Sequence, residues 1–320
     1  MGVMAMFGRV QLLSIAVLAG LLPLGAWAGC GSAVCSINTN WDAQGAWTEP
    51  GARFDLRYEY IDQDQPMSGD SRVGVGEIPR EHDEVRTINR NWIATLDYAF
   101  SQRLSVSVSL PVVDRGHDHI HNDVGGPEPE NWNFTEVGDT RVLGRYHLGE
   151  SGEAGAGLLF GVKLPTGDIE VENDDGDRAE RTLQPGTGTT DVLLGAYYRA
   201  PGSERGAWFA QVLWQSALGE REDYRPGDRV GVDLGYRHPL NDRFAALVQL
   251  NLLYRDRDSG TQAEPEDSGG YFAFIGPGLS YNLGRDTQLY GFVQVPLYQY
   301  VNGVQLTADW SLVAGLANRF

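Results

Sequence analysis

The sequence predicts an all-β protein, a closed antiparallel transmembrane β-barrel of about 12 strands with short periplasmic turns and longer extracellular loops. Three observations favour this fold. Apolar and polar residues alternate with period two along most of the chain, the connections between alternating runs are short and long in turn, and the chain begins with an export signal. A large secreted β-sandwich also alternates and is the main soluble alternative.

Residues 1–28 have the form of a signal peptide, because the apolar run LLSIAVLAGLLPLGAW precedes Ala26-Trp27-Ala28, a small-x-small cleavage site. Gly20 and Pro23 interrupt the run, which is shorter than the roughly 20 residues of a spanning helix. The sequence therefore predicts a chain that is exported and then cleaved.

Residues 29–50 are predicted to form an N-terminal periplasmic or plug segment that carries both cysteines. Export to an oxidising compartment favours a disulfide between Cys30 and Cys35. A lipid-modified Cys30 and a free, redox-active or soft-metal pair are the alternatives.

The first predicted strand, residues 51–62, shows how each strand meets its surroundings. A sheet can cross hydrocarbon only when it closes, so its outer side chains face lipid and its inner ones face the lumen. The apolar face, predicted to meet lipid, consists of Ala52, Phe54, Leu56, Tyr58 and Tyr60. The charged face, predicted to meet the lumen, consists of Arg53, Asp55, Arg57 and Glu59.

Eleven further runs alternate in the same way, so the predicted barrel occupies residues 51–320. In order they are 91–100, 104–112, 141–148, 156–163, 191–199, 208–215, 229–237, 244–255, 271–283, 289–297 and 310–320. The predicted long loops are 63–83, 114–133, 165–188, 219–228 and 256–269, with a short one at 299–304. Short connections separate them, as outer-membrane barrels require.

Charged residues on the inward faces predict a pore lining of alternating sign. They are Arg53, Asp55, Arg57, Glu59, Asp97, Arg141, Arg145, Asp191, Arg199, Arg229, Asp233 and Arg237. Eight strands leave a filled interior and about sixteen an open channel, so twelve predict a narrow, partly filled passage.

The overall charge and the C-terminal sequence pattern indicate which classes of binding partner to expect. The chain has 43 acidic against 25 basic residues and a formal net charge of −18, which disfavours nucleic acid. Acidic loops at 170–177 and 258–267 favour a solvated surface bridged to lipopolysaccharide by divalent ions. The pattern from Trp310 to the terminal Phe320 resembles the signal read by the outer-membrane insertion machinery, although Asn318 departs from it.

One stretch, residues 115–123, has the residue types of a metal site. His117, His119 and His121 would share one face, and imidazole with carboxylate suits zinc, copper or nickel. Successive members lie roughly 7 Å apart on a strand, so one ion would require the loop to curl. Polar residues of an extracellular loop at the outer rim are the alternative, and no other cofactor is expected.

No serine lies in a recognisable catalytic signature, so an enzyme is not expected. LPTGD (164–168) and PGTGTTDVLLGAYY (185–198) resemble the outer-membrane β-barrel family of the meta-pathway of phenol degradation, whose members are labelled as transporters. The resemblance implies a barrel with a transport role.

The sequence thus predicts a channel or transporter in the bacterial outer membrane, for passive or gated passage of a small solute, with a hydrophobic or aromatic one as an option. The alternative is a closed barrel with a metal-binding or partner-docking role, and an outer-membrane hydrolase is less favoured. Its expected partners are membrane lipid and lipopolysaccharide, the insertion machinery and the solute.

Overall fold

The computed structural model describes residues 50–123, 125–148, 154–202 and 206–320. The predicted signal peptide and the Cys30–Cys35 disulfide lie outside the described residues, as does all but the last residue of segment 29–50, and they stay predictions. In the described ranges no helix is long and apolar enough to cross a membrane.

Twelve strands form the wall of a closed antiparallel barrel, which confirms the predicted fold class. They are β1 (Gly51–Gln63), β4 (His82–Ala99), β5 (Leu104–Asp123), β7 (Thr140–Leu148), β8 (Gly155–Leu164), β9 (Asp191–Pro201), β10 (Ala207–Ala217), β11 (Arg229–Pro239), β12 (Phe244–Arg255), β13 (Gly270–Asn282), β14 (Thr287–Thr307) and β15 (Ser311–Arg319). Each pairs with the next in this order, and β15 pairs with β1 to close the ring. Closure leaves no free sheet edge in the membrane.

Three further strands extend the wall on the side of the long loops. β2 (Gln65–Gly69) pairs with β14 and with β3 (Ser71–Arg72), whereas β6 (Gly126–Val137) pairs with β5. β6 continues into β7 across a two-residue break, so the hairpin of β5 and β6 projects beyond the membrane.

The predicted loop at 114–133 is therefore wrong for most of its length. Beyond Val113 the outward side chains of β5 become polar because they leave the lipid, and the sequence loses its apolar face although the ladder continues. The predicted loop at 299–304 likewise belongs to strand β14.

The outer surface carries an apolar belt between two levels of aromatic side chains. Outward residues of the belt that are exposed include Leu96, Val108, Leu158, Phe160, Leu194, Val212, Leu234, Val248, Leu279 and Leu289. Exposed aromatics near the short turns are Tyr98, Phe100, Tyr146, Tyr198, Trp208 and Phe244, and those near the long loops are Trp92, Tyr254, Tyr271, Tyr298 and Trp310. Belt and girdles of this kind are typical of outer-membrane barrels.

Candidate functional site

The charged face of β1 lies inside the barrel, as its alternation predicted. Arg53 Nε lies 3.9 Å from Asp97 Oδ2, and Arg145 Nη1 lies 3.3 Å from Asp97 Oδ1. Arg57 Nε lies 3.1 Å from Glu59 Oε1 on the same strand. The first pair joins the adjacent strands β1 and β4, and the second joins β4 to β7 past the intervening β5.

All twelve predicted pore-lining residues lie on inward strand faces, and each is buried or half-buried. That they line a passage stays a prediction.

Amides form a second inward group, around Asp233. Asn251 donates to Asp233 Oδ1 at 2.7 Å, and Gln294 donates to Asn251 at 2.8 Å. Ser311 in turn donates to Gln294 at 3.4 Å. Side-chain amides therefore hold this carboxylate in place.

Apolar side chains form a third inward group, which the sequence reasoning missed. We call it the apolar patch, and it consists of Leu143, Leu159, Leu193, Tyr197 and Leu213 on β7 to β10. Gly157 makes room for it, because a Cβ there would overlap the Tyr197 ring. The signal was present in the sequence, because leucines stand among the inward-facing residues of four successive strands.

The connection between β8 and β9, residues 165–190, folds onto the inward face of the wall; we call it the inner loop. Its Leu183 is fully buried against Trp132 and Ala179. Arg115, an inward residue of β5, donates to the carbonyl oxygen of Leu183, and Trp132 Nε1 donates to the carbonyl of Asp177 at 2.9 Å. The loop thus covers the extracellular end of the lumen.

Both stretches that carry the family resemblance fasten the ends of the inner loop. Lys163 Nζ lies 2.8 Å from Asp139 Oδ2 and 3.3 Å from Asp191 Oδ1. Asp139 also accepts from the backbone N–H of Gly167 at 3.1 Å and of Thr187 at 3.0 Å. All three charged side chains are buried, so the network is a rigid anchor.

The glycines of these stretches have a direct structural role. A Cβ on Gly167 would overlap the backbone of Gly186, and one on Gly186 would overlap the backbone of Gly167. The two ends of the loop can approach this closely only because both positions lack a side chain.

Histidines and glutamates meet inside the barrel beneath the inner loop, and we call them the His–Glu cluster. Its members are His82, Glu84, His117, His119, His121, Glu130, Glu180 and Glu264. The alternative interpretation of the sequence placed the three β5 histidines in a loop at an outer rim. This placement is wrong for His117 and His119, which are buried on the inward face of a continuous strand. Strand pairing holds them extended, so no curl brings the three together.

Each of the three histidines predicted as metal ligands has a different hydrogen-bond partner. His121 Nδ1 lies 2.6 Å from His82 Nε2 on the neighbouring strand. His117 Nδ1 lies 2.8 Å from the Thr87 hydroxyl, and His119 Nε2 lies 2.9 Å from Glu130 Oε2. His121 is thus engaged with a fourth histidine that the sequence analysis did not single out.

Two loop carboxyls complete the cluster. Burial, together with the charges of Glu84 and Glu130, raises the pKa of Glu180 well above its usual value. Burial also raises the pKa of Glu264 well above its usual value, and the charges of Glu180 and Glu84 add to this shift. A cavity of about 110 Å³ adjoins both residues, lined by inner-loop residues 178–182 and by Gln262 and Glu264. Among the described residues, no group of three or more His, Cys, Asp or Glu side chains stands close enough together to hold a metal ion.

A closed ring of strands with a lipid-facing belt defines this chain as an outer-membrane β-barrel protein. The model of the family described as "Putative MetA-pathway of phenol degradation" matches residues 90–308, more than half of the chain. The chain belongs to this family, which confirms the resemblance. No curated protein matches the sequence.

Two solved structures of outer-membrane proteins are similar to this chain. The COG4313 outer membrane channel from Pseudomonas putida F1 is 14% identical, with a TM-score of 0.65 over 89% of this chain and 100% of that one. The P. putida toluene transporter TodX is 11% identical, with a TM-score of 0.44 over 92% of this chain and 99% of that one. At this level of identity the likeness concerns the fold alone.

Proposed function

We propose that this outer-membrane barrel is a gated channel for a small solute and not an enzyme. The observation that carries the proposal is the inner loop, which is anchored at both ends and packed over the lumen by Leu183 and Arg115. A loop held by a few buried contacts can move, whereas the strand-paired wall cannot. The channel function of the P. putida F1 barrel and the phenol-degradation description of the family model support a transport role.

The inward surface suggests what kind of solute passes. The apolar patch offers a ring or short alkyl chain a contact worth roughly 25 cal/mol per Å² of buried apolar surface. Arg53, Asp97 and Arg145 stand at membrane level and offer partners to a polar substituent. A small aromatic or other hydrophobic solute that carries one polar group fits this combination best.

The termini are part of the proposal. Residues 1–28 would be removed on export, and residues 29–50, tied by the Cys30–Cys35 disulfide, would narrow the periplasmic mouth. Phe320 is exposed beside the seam where its N–H donates to the carbonyl of Ala52 at 2.9 Å. It would serve as the docking point for the insertion machinery, and the acidic outer loops would meet lipopolysaccharide through divalent ions.

Solute uptake by liposomes that contain the mature protein tests the function. We expect phenol-sized aromatic solutes to enter faster than sugars of similar mass, because only the former gain from the apolar patch. Leu213→Gln should reduce this preference, whereas Leu234→Gln, on the lipid-facing side of β11, should leave it unchanged. If no solute enters, and none enters through a variant with a shortened inner loop, the channel proposal is wrong.

A further inference from the structure

Six buried polar atoms of four residues in the His–Glu cluster stand without a hydrogen-bond partner among the described residues. They are His117 Nε2, His119 Nδ1 and both carboxylate oxygens of Glu180 and of Glu264. The side chain of His117 is fully buried, and that of Glu180 is 9% exposed. Leaving a buried polar group unpaired destabilises the folded protein, more strongly when the group is charged. The presence of several such atoms in one cluster indicates that a ligand binds there.

Two pairs of side chains in the cluster each have about the spacing of two ligands on one metal ion. His117 Nε2 lies 3.6 Å from Glu84 Oε2, and His119 Nδ1 lies 3.5 Å from Glu180 Oε1. These separations exceed the usual hydrogen-bond range. Two ligands that each lie about 2.0–2.2 Å from a tetrahedral zinc ion stand roughly 3.4 Å apart.

The second nitrogen of each imidazole is fixed in the manner of metal-binding histidines. His117 Nδ1 lies within hydrogen-bond distance of the Thr87 hydroxyl, and His119 Nε2 within that of the Glu130 carboxylate. Ligand histidines almost always donate their other ring N–H to such a group, which sets the ring orientation. In both residues the nitrogen left over is the one that faces a carboxylate.

We propose that the His–Glu cluster binds a divalent transition-metal ion through His117 and His119, with Glu84 and Glu180 as the carboxylate ligands. Imidazole with carboxylate favours zinc, nickel or copper over calcium and magnesium. The four ligands come from β4, β5 and the inner loop. Rotation of their side chains completes the site when the ion enters. Because Glu180 belongs to the inner loop and the histidines to the wall, the ion ties the loop shut.

Zinc binding to the full mature protein, refolded in detergent and followed by isothermal titration calorimetry, tests the proposal without reference to transport. The protein carries Cys30→Ser and Cys35→Ser, so that thiols bind no zinc. We expect saturable zinc binding with one ion per chain, and no heat with calcium. His117→Ala, His119→Ala and Glu180→Gln should each weaken zinc binding at least tenfold.

Two further variants separate a metal site from a merely polar cluster. His238→Ala, near the periplasmic end of β11, removes a histidine outside the cluster and should leave zinc affinity unchanged. Thr87→Val keeps all four ligands and should weaken zinc affinity about 10–100-fold, as loss of an outer-shell partner does. Heat-modifiable gel mobility shows that each variant is folded, and Glu180→Gln, in a loop, preserves side-chain shape. Absence of zinc binding, or equal affinity in the Glu180→Gln variant and the parent, would overturn the proposal.

Discussion

Buried polar groups differ in their partners between two parts of the barrel interior. One part lies at membrane level, and the other lies beneath the extracellular loops. At membrane level, Asp97 is shared by Arg53 and Arg145, and Asp233 is held by Asn251. Under the loops, the carboxylate oxygens of Glu180 have no hydrogen-bond partner among the described residues. Burial of unpaired groups is costly, so their concentration beneath one loop indicates where ligand binding or movement takes place.

The wall strands and the inner loop also differ in how their backbones are held. Every wall strand is paired on both sides, so moving one would break many backbone hydrogen bonds in a medium without water. The inner loop is held instead by side-chain contacts of Arg115, Trp132 and Lys163. The account therefore assigns rigidity to the wall and gating to the loop.

Removing Lys163 should have the largest effect, because this side chain joins wall and loop. Lys163→Met leaves Asp139 and Asp191 buried without their cation, and we expect a loss of about 3–5 kcal/mol in the free energy of unfolding. Urea unfolding in detergent measures it. Arg72→Met, which breaks an exposed pair with Asp309, is the control and should cost less than about 1 kcal/mol. Equal losses in the two variants would contradict the rigid anchor.

A charge on the lipid side of the wall should have the next largest effect. Leu96 lies between the two aromatic levels, so Leu96→Arg should destabilise the barrel by up to about 2–4 kcal/mol. Its neighbour Thr95 faces the lumen and hydrogen-bonds Ser109 on the adjacent strand. Thr95→Arg should therefore destabilise the barrel less than Leu96→Arg. Unfolding in lipid vesicles compares the two. A larger loss for Thr95→Arg would reverse our assignment of inside and outside.

Loosening the inner loop should have the smallest effect on overall stability. Arg115→Met removes the donor to the Leu183 carbonyl, a charged hydrogen bond worth about 1.5–3 kcal/mol. A loss of about 2 kcal/mol shifts the loop roughly thirtyfold toward the undocked state.

Limited proteolysis within residues 169–184 measures that shift. Arg90→Met is the matched control, since its partner Asp114 lies on the outer, half-exposed face. Unchanged cleavage in Arg115→Met would show that this contact does not hold the loop.

Most of the wall could be predicted from the sequence, because lipid on one side and polar contacts on the other impose period two. The period-two pattern fails where the environment on either face of a strand changes. Beyond Val113 lipid ends, so the outer half of β5 and most of β6 were taken for a loop. Inside the wall, Leu159 and Leu193 were overlooked because lysine and arginine marked their faces as polar.

The His–Glu cluster could be predicted only in part. Its histidines follow one another on a single strand, and their spacing pointed to coordination chemistry. Glu84, Glu180 and Glu264 lie on another strand and two loops, with no local pattern to distinguish them from solvated acids. Only the folding of both loops over the lumen brings them together.

Single-channel conductance in planar bilayers tests most directly whether the inner loop closes the lumen. Residues 169–184 are replaced by a short Gly-Ser linker that keeps the anchors at Lys163, Asp139 and Thr187, and the control shortens the exposed segment 74–79. We predict a several-fold rise in conductance for the first variant and none for the second. Equal conductance in wild type and both variants would contradict the account, because the inner loop would then not be the gate.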